Sequence, residues 1–341
     1  MKTIRLHASG DLRLHNEPRT KPNPGETLVR VNAVGICGSD LHWFSEAGIG
    51  DVKLQKPLVL GHEIAGVIAE GLHKGQRVAV NPAVACHTCE FCQQGNPNLC
   101  EHLRFAGHGN EDGALREYIA WPDECLFQLP EALSDADGVM LEPLGVAMHA
   151  VDLAHLCVGM SVGVFGCGPI GLLILQLARR AGAAKIVATD ILPHRLKAAR
   201  VLGADQVILA ENVSEASPRA VSQAIQEAIG GRGVDVAFEV AGENEAVETA
   251  ITAVKPGGYV LLVGIPTDDR TSFSASTARR KGLTIKLVRR MKFTYPRAIQ
   301  MVESGLVNVR SIVTHRFPFE QAQEAFTFAQ RREGLKIIIE I

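Results

Sequence analysis

The chain has 341 residues, 46 % of them hydrophobic and 21 % charged, with a formal net charge of −2. That length predicts two domains, and the near-neutral balance offers no basic field for nucleic acid or an anionic membrane. The amino-terminal "MKTIRLHASGDLRL" lacks the apolar core of a secretory signal, which predicts a cytoplasmic protein with reduced thiols.

Residues 1 to about 147 carry short runs broken by turn residues such as "EPRTKPNPGE" and "GLHKGQ". This is the pattern of a β-rich, partly barrel-like domain. "VGICGSDLHWF" brings Cys37, Ser39, His42 and Trp43 together, and "LVLGHEIAGVI" brings His62 and Glu63. Later, "LEPLGVAMHA" adds Glu142. One thiolate, one imidazole and carboxylates around zinc leave a position open for water or substrate. On spacing alone, Cys37 and His62 also suit simple packing.

Next comes "CHTCEFCQQGNPNLC", with the spacing Cys86-x2-Cys89-x2-Cys92-x7-Cys100. Short C-x2-C steps aim neighbouring thiolates at one centre, and Gly95 to Asn98 supply the turn that returns Cys100. Four thiolates fill a tetrahedral zinc shell, so this metal is expected to be structural. A bacterial iron–sulfur signature closes with C-x3-C-P, which this spacing lacks. Cys125, Cys157 and Cys167 are expected to be buried small apolar groups.

"SVGVFGCGPIGLLILQLARRAG" predicts a strand, a Gly166-x-Gly168-x-x-Gly171 turn holding Pro169 and Ile170, and a helix ending near Gly182. Its glycines, proline and arginine pair argue against a membrane span. "AKIVATD" then ends in Asp190, 24 residues after Gly166 (190 − 166). A carboxylate there accepts from the adenine-ribose hydroxyls of NAD and repels the extra phosphate of NADP, an exclusion that Arg195 weakens. "PHRLKAARVLG" starts with proline and stops with glycine, as a helix does. "QVIL", "VDVAFEV", "GYVLLVG" and "LTIKLV" complete six strands of an α/β, doubly wound parallel sheet of the Rossmann type. Val263, Gly264 and Ile265 follow the fifth strand, where the nicotinamide half of a dinucleotide would rest.

The set "GICGSDLH", "LVLGHEIAG", the four-cysteine lobe, "LEPLGVAMHA", "GCGPIG" and "VTHRFPFEQAQEAF" resembles the zinc-dependent medium-chain dehydrogenases. Within them it resembles the polyol branch: the sorbitol and xylitol dehydrogenases and their bacterial galactitol and idonate relatives. The resemblance implies a discontinuous, GroES-like catalytic domain at 1–147 and 286–341 around an NAD-binding domain at 148–285. It implies a catalytic zinc in the cleft held by Cys37, His62 and Glu63, with Glu142 either a further ligand or standing beside it. It implies oxidation of a sugar-alcohol secondary hydroxyl to a ketose, with the hydride passing to NAD. Ser39 and His42 would relay the proton outward; a plain surface histidine is the other reading of His42. Ser39, Trp43, Phe105 and Glu142 would line the substrate pocket. Arg290 would bond polyol hydroxyls and Arg289 would touch cofactor, or the two arginines form a solvated basic pair. L-idonate and L-threonine are rival substrates, and "LEPLG" favours polyols. A non-enzymatic NAD and zinc sensor predicts one zinc per chain, where the enzyme predicts two. A homotetramer is expected, with a dimer as the alternative.

Overall fold

In "ETLVRVNAVG" the β-branched residues give Glu26–Gly35 a strand that is buried over most of its second half. In a computed structural model, which describes residues 1–210 and 218–341, this strand organises a seven-stranded sheet. It pairs antiparallel with Glu63–Ile68, with Tyr118–Pro122 and with Lys336–Glu340. The last pairing, with Ile338 opposite Gly35, carries the carboxyl terminus into a sheet begun near the amino terminus. Residues 1–145, 292–305 and 309–341 form this unit. One apolar core serves it, with Trp43, Trp121, Leu58, Leu60 and Phe326 all buried.

The second unit comprises residues 146–291 and 306–308. Its six parallel strands run in the order Gln206–Leu209, Lys185–Asp190, Ser161–Phe165, Val234–Glu239, Val254–Leu262 and Thr284–Leu287. Ser161–Phe165 is thus flanked by Lys185–Asp190 on one side and Val234–Glu239 on the other. The winding reverses there, and a crevice opens at the carboxyl ends of such strands. The fifth strand starts earlier than "GYVLLVG" because Val254 already pairs with Val234, with an irregularity before Tyr259. The unit also continues past residue 285. Thr284–Leu287 is paired along its length with Tyr259–Leu262, so the chain stays in this unit to Met291.

Helix Pro169–Arg180 begins on Gly168 with proline at its first position and buries Leu172 through Ala178 against the sheet. Helix Asn244–Ala253 ends differently. Lys281 Nζ donates to the carbonyls of Ile251, Thr252 and Val254 at 3.2, 2.6 and 2.7 Å. A cation at a helix carboxyl end satisfies orphan carbonyls and complements the dipole. Burial pulls the pKa of Lys281 down, so the contact opposes a desolvation cost. Lys281→Met removes all three contacts. It should lower stability by about 1–2 kcal/mol, read as an earlier urea midpoint at unchanged slope.

Candidate functional site

Strand Glu26–Gly35 leads into Cys37, which caps helix Gly38–Glu46. Asp40, 1 % exposed, turns back from the first turn of that helix. Its Oδ2 accepts from Cys37 N at 3.0 Å; its Oδ1 accepts from Gly61 N at 3.2 Å and lies 3.4 Å from His62 Nδ1. One carboxylate therefore fixes both segments that carry the sulfur and the imidazole. With Nδ1 facing Asp40, Nε2 is the nitrogen left for a metal.

Glu63, fully buried, opens the neighbouring strand directly opposite Gly35. A Cβ at residue 35 would stand 2.0 Å from Glu63 Oε2, so the carboxylate fits only over glycine. Both Glu63 oxygens accept from Lys336 Nζ, at 2.6 and 2.7 Å, and Nζ also donates to Ile36 O at 3.1 Å. Lys336 is buried at the start of the carboxyl-terminal strand. The ligand atoms of Cys37, His62 and Glu63 lie within 4.8 Å of one another. Glu142, buried in the first turn of helix Leu141–Ala154, stands outside that set but within electrostatic reach of His62, Glu63 and Lys336.

The charge of this corner depends on where its protons sit. Burial pushes the Glu142 carboxyl up to about 7; His62 and Lys336 pull it down, and Glu63 and Asp40 push it further up. Burial opposes a charge on His62, yet Asp40 and Cys37 outweigh it and hold the imidazole well above its ordinary range. Burial likewise opposes the Lys336 charge, and Glu63 and Cys37 again raise it. Three buried carboxylates and a thiol thus face Lys336 and an imidazole that is cationic only while it holds its proton. A divalent ion would supply positive charge there without that proton, and a sulfur, nitrogen and oxygen donor set suits zinc.

Aromatic rings extend from His62. Phe105 tilts against it at 5.3 Å between centroids, His108 meets Phe105 edge-on at 6.4 Å, and Trp43 meets His108 edge-on at 5.6 Å. Trp43 Nε1 is buried with no hydrogen-bond partner among the described residues. Ser39 and His42 are half-buried on the helix that follows Cys37, and His42 Nδ1 lies 3.2 Å from Glu46 Oε1. Arg289 and Arg290 belong to the other unit, just past its last strand, with Arg290 in the left-handed region at φ 53°. Asp40, His108 and Lys336 were not anticipated. Asp40 had a signal in its position three after Cys37. Lys336 had one too, as a charge leading the apolar run "KIII".

In the cysteine lobe all four Sγ atoms lie within 4.8 Å of one another, and Cys86 and Cys92 sulfurs are 4.0 Å apart. Sulfurs around zinc stand about 3.8 Å apart, far beyond a disulfide bond. Backbone N–H groups of Cys86 and Cys89 donate to Cys100 and Cys86 sulfurs, each at 3.3 Å. The Thr88 hydroxyl and nearby N–H groups draw Cys86 down to about 5, while desolvation and the other sulfurs push Cys92 up to about 12. Thiolates in this crowding need a cation among them. Elsewhere Cys125 and Cys167 are buried, but Cys157 is exposed, because it lies in the loop after helix Leu141–Ala154.

The nucleotide turn is held from both sides. Asp190 Oδ2 accepts from Cys167 N at 2.7 Å and Oδ1 from Leu192 N at 2.8 Å. Each oxygen keeps a second acceptor position for a ribose hydroxyl. Gly166 has φ 105°, and a Cβ on Gly171 would lie 2.0 Å from Gly166 O, so strand and helix meet closely. At Gly168 the nearest atom to such a Cβ is an Arg195 guanidinium nitrogen at 3.7 Å, which leaves the helix amino terminus of Pro169 and Ile170 open to a phosphate. Val263 and Gly264 are half-buried and Ile265 is 48 % exposed at the carboxyl edge.

Residues 23–131 match the family model described as alcohol dehydrogenase GroES-like domain, and residues 169–304 match that described as zinc-binding dehydrogenase. A sorbitol dehydrogenase from Bos taurus is 37 % identical over 98 % of this chain and 94 % of its own length. L-idonate 5-dehydrogenase from Escherichia coli has a similar structure, with a TM-score of 0.90 at 28 % identity over 100 % of this chain and 98 % of that one. An alcohol dehydrogenase from Escherichia coli CFT073, complexed with NADH, also superposes at 0.90, with 28 % identity over 100 % and 99 % of the two chains.

Two outcomes follow for metal-free protein. Lys336→Met leaves Glu63 buried without its partner and should cost roughly 3–5 kcal/mol in urea unfolding, a loss that added zinc reduces. Glu142 binds its proton more tightly folded than unfolded, so its contribution is complete below about 4.5 and is lost as pH rises through about 7. Stability of the wild type relative to Glu142→Gln should therefore fall across that window.

Proposed function

This chain belongs to the zinc-binding alcohol dehydrogenase family, and on that premise we propose that it oxidises a secondary hydroxyl of a sugar alcohol to a ketone, passing the hydride to NAD. The observation that carries the reading is the convergent donor set of half-buried Cys37 with buried His62 and Glu63, oriented by Asp40. When bound, zinc supplies Lewis-acid polarisation of a hydroxyl and NAD supplies the hydride acceptor.

The chain's own residues do the rest. Asp40 keeps His62 in one tautomer and orientation. Lys336 holds Glu63 by both oxygens, which limits how far that carboxylate moves toward a metal. Glu142, with its affinity for a proton near neutrality, is suited to hydrogen-bond the reacting hydroxyl. Phe105 packs its ring against His62, and His108 and Trp43 extend that chain of ring contacts. Ser39 and His42 are read as the outward proton path, with Glu46 holding the His42 ring. Arg290 is read as a polyol contact and Arg289 as a cofactor contact, both supplied by the second unit. Asp190 supports NAD as the nucleotide. The unit built on the seven-stranded sheet is read as the catalytic domain and the parallel-sheet unit as the cofactor domain.

Full-length similarity to a sorbitol dehydrogenase supports a neutral polyol. The structural likeness to L-idonate 5-dehydrogenase favours, as a second reading, a sugar acid oxidised at the corresponding carbon. No described helix is long and apolar enough to cross a membrane; a cytoplasmic location belongs to the same proposal. Strand Thr284–Leu287 ends its sheet, with Leu287 76 % exposed, and this open edge supports a dimer, formed by pairing it with a second copy, as the building block of a tetramer.

A panel of sugar alcohols, aldonates and L-threonine, offered with NAD and with NADP in parallel, should give NADH with a sugar alcohol. No turnover with any alcohol would overturn the enzyme reading. Cys37→Ser should drop zinc from two ions per chain to one and abolish turnover while circular dichroism stays unchanged.

A further inference from the structure

Two carboxylates sit at the carboxyl edge of the parallel sheet, on the strands that flank Ser161–Phe165. Asp190 ends one strand. Glu239 ends the other, is 1 % exposed, and has no role in the reading above. Its Oε1 accepts from Ala241 N at 2.7 Å and from Gly242 N at 2.8 Å. Its main-chain oxygen accepts from Val263 N at 2.8 Å and Gly264 N at 3.2 Å, and the next residue, Val240, donates its N–H to Phe165 O at 2.8 Å. So Glu239 and the turn it closes touch both stretches expected to carry the cofactor.

The packing leaves no slack. A Cβ on Gly166 would lie 2.9 Å from Ala241 N. One on Gly242, at φ 76°, would lie 2.5 Å from Ile265 O, and one on Gly264 would lie 2.1 Å from Gly242 N and 2.9 Å from Glu239 Oε2. Three glycines from three segments therefore meet with backbone against backbone, around one carboxylate. Burial makes that charge costly and pushes it up to about 6, against the pull of the Gly242 and Ala241 N–H groups. A charge kept at such a place by the N–H groups of the turn it closes points to what it holds in position.

We propose that Glu239 is a positioning residue for the dinucleotide, clamping the 240–242 turn between the Gly166 turn and the Gly264–Ile265 backbone so that the pyrophosphate and nicotinamide cradles keep one spacing. The proposal rests on the NAD reading of this unit. It predicts that loss of the carboxylate is felt by a ligand spanning both cradles and not by one that uses the adenosine half alone.

The test is binding of NADH and of AMP to zinc-loaded wild type, Glu239→Gln and Glu239→Leu. NADH is followed by its own fluorescence and AMP by calorimetry, with circular dichroism as the check on folding. Glu239→Gln, which keeps one carbonyl acceptor, should weaken NADH about tenfold, and Glu239→Leu about a hundredfold. AMP should change less than twofold in both. If Glu239→Leu fails to fold, the glutamine variant decides alone. NADH affinity within twofold of wild type in that variant overturns the proposal. So does an equal weakening of NADH and AMP, which marks general loosening. Failure of the wild type itself to bind NADH overturns the NAD reading, and this proposal with it.

Discussion

Three buried carboxylates, Asp40, Glu63 and Glu142, crowd the Cys37 and His62 corner of the first unit beside Lys336, and the local structure is arranged around holding charge in that interior. A protein interior disfavours isolated charge strongly. The chain holds Asp40, Glu63 and Glu142 there by giving each a different compensation. Asp40 receives two backbone N–H groups and faces His62. Glu63 receives both of its bonds from Lys336. Glu142 has burial as its dominant influence and so leans toward its neutral form. Those three states are what distinguish the carboxylates chemically: one orients a ligand, one is tethered within the donor set, and one is ready to exchange a proton near neutrality. A divalent ion among Cys37, His62 and Glu63 would complete this arrangement rather than disturb it, since the raised pKa values of His62 and Lys336 come from the negative groups beside them.

The cysteine lobe solves a related problem in the opposite way. Its sulfurs are close to the spacing that tetrahedral zinc requires, and its backbone N–H groups already point at them. Four identical donors close the shell. The Cys37 and His62 site is built of unlike donors, one of them tied away by a lysine. On the proposed reading, donor identity within a single unit separates a metal that would fasten a loop from one that would meet a substrate.

Legibility in the sequence followed distance along the chain. The Gly166 turn, Asp190 and the four clustered cysteines each depend on neighbours a few residues away or on one strand–turn–helix step, so spacing disclosed them. Cys37 and His62 stood out as residue types, but their convergence required the pairing of Gly35 with Glu63, which no local pattern states. Lys336 lies 273 positions from Glu63, and only the return of the carboxyl-terminal strand to the first sheet joins them. His108 sits in a glycine-rich stretch with no periodicity to give it a direction. The boundary expected at residues 285 and 286 cuts through "LTIKLV", the sixth strand of the sheet; its ladder with Tyr259–Leu262 keeps the chain in the parallel-sheet unit to Met291.

The same device recurs in both units. Asp40, Asp190 and Glu239 are buried acids that accept backbone N–H groups from a turn beside a strand end or helix start. A side-chain oxygen in that role does two things at once. It satisfies donors that a tight turn would otherwise leave unpaired in the interior, and it fixes that turn relative to a rigid strand or helix. Loops that must approach a metal or a pyrophosphate closely cannot be braced by bulky side chains, because the glycines that permit the approach carry none. A short acid reaching in from the end of a neighbouring element is the remaining solution, and its charge is best tolerated where N–H dipoles converge. On this argument the buried carboxylates are the counterpart of the glycines: the glycines make room for the ligand, and the acids keep that room from collapsing.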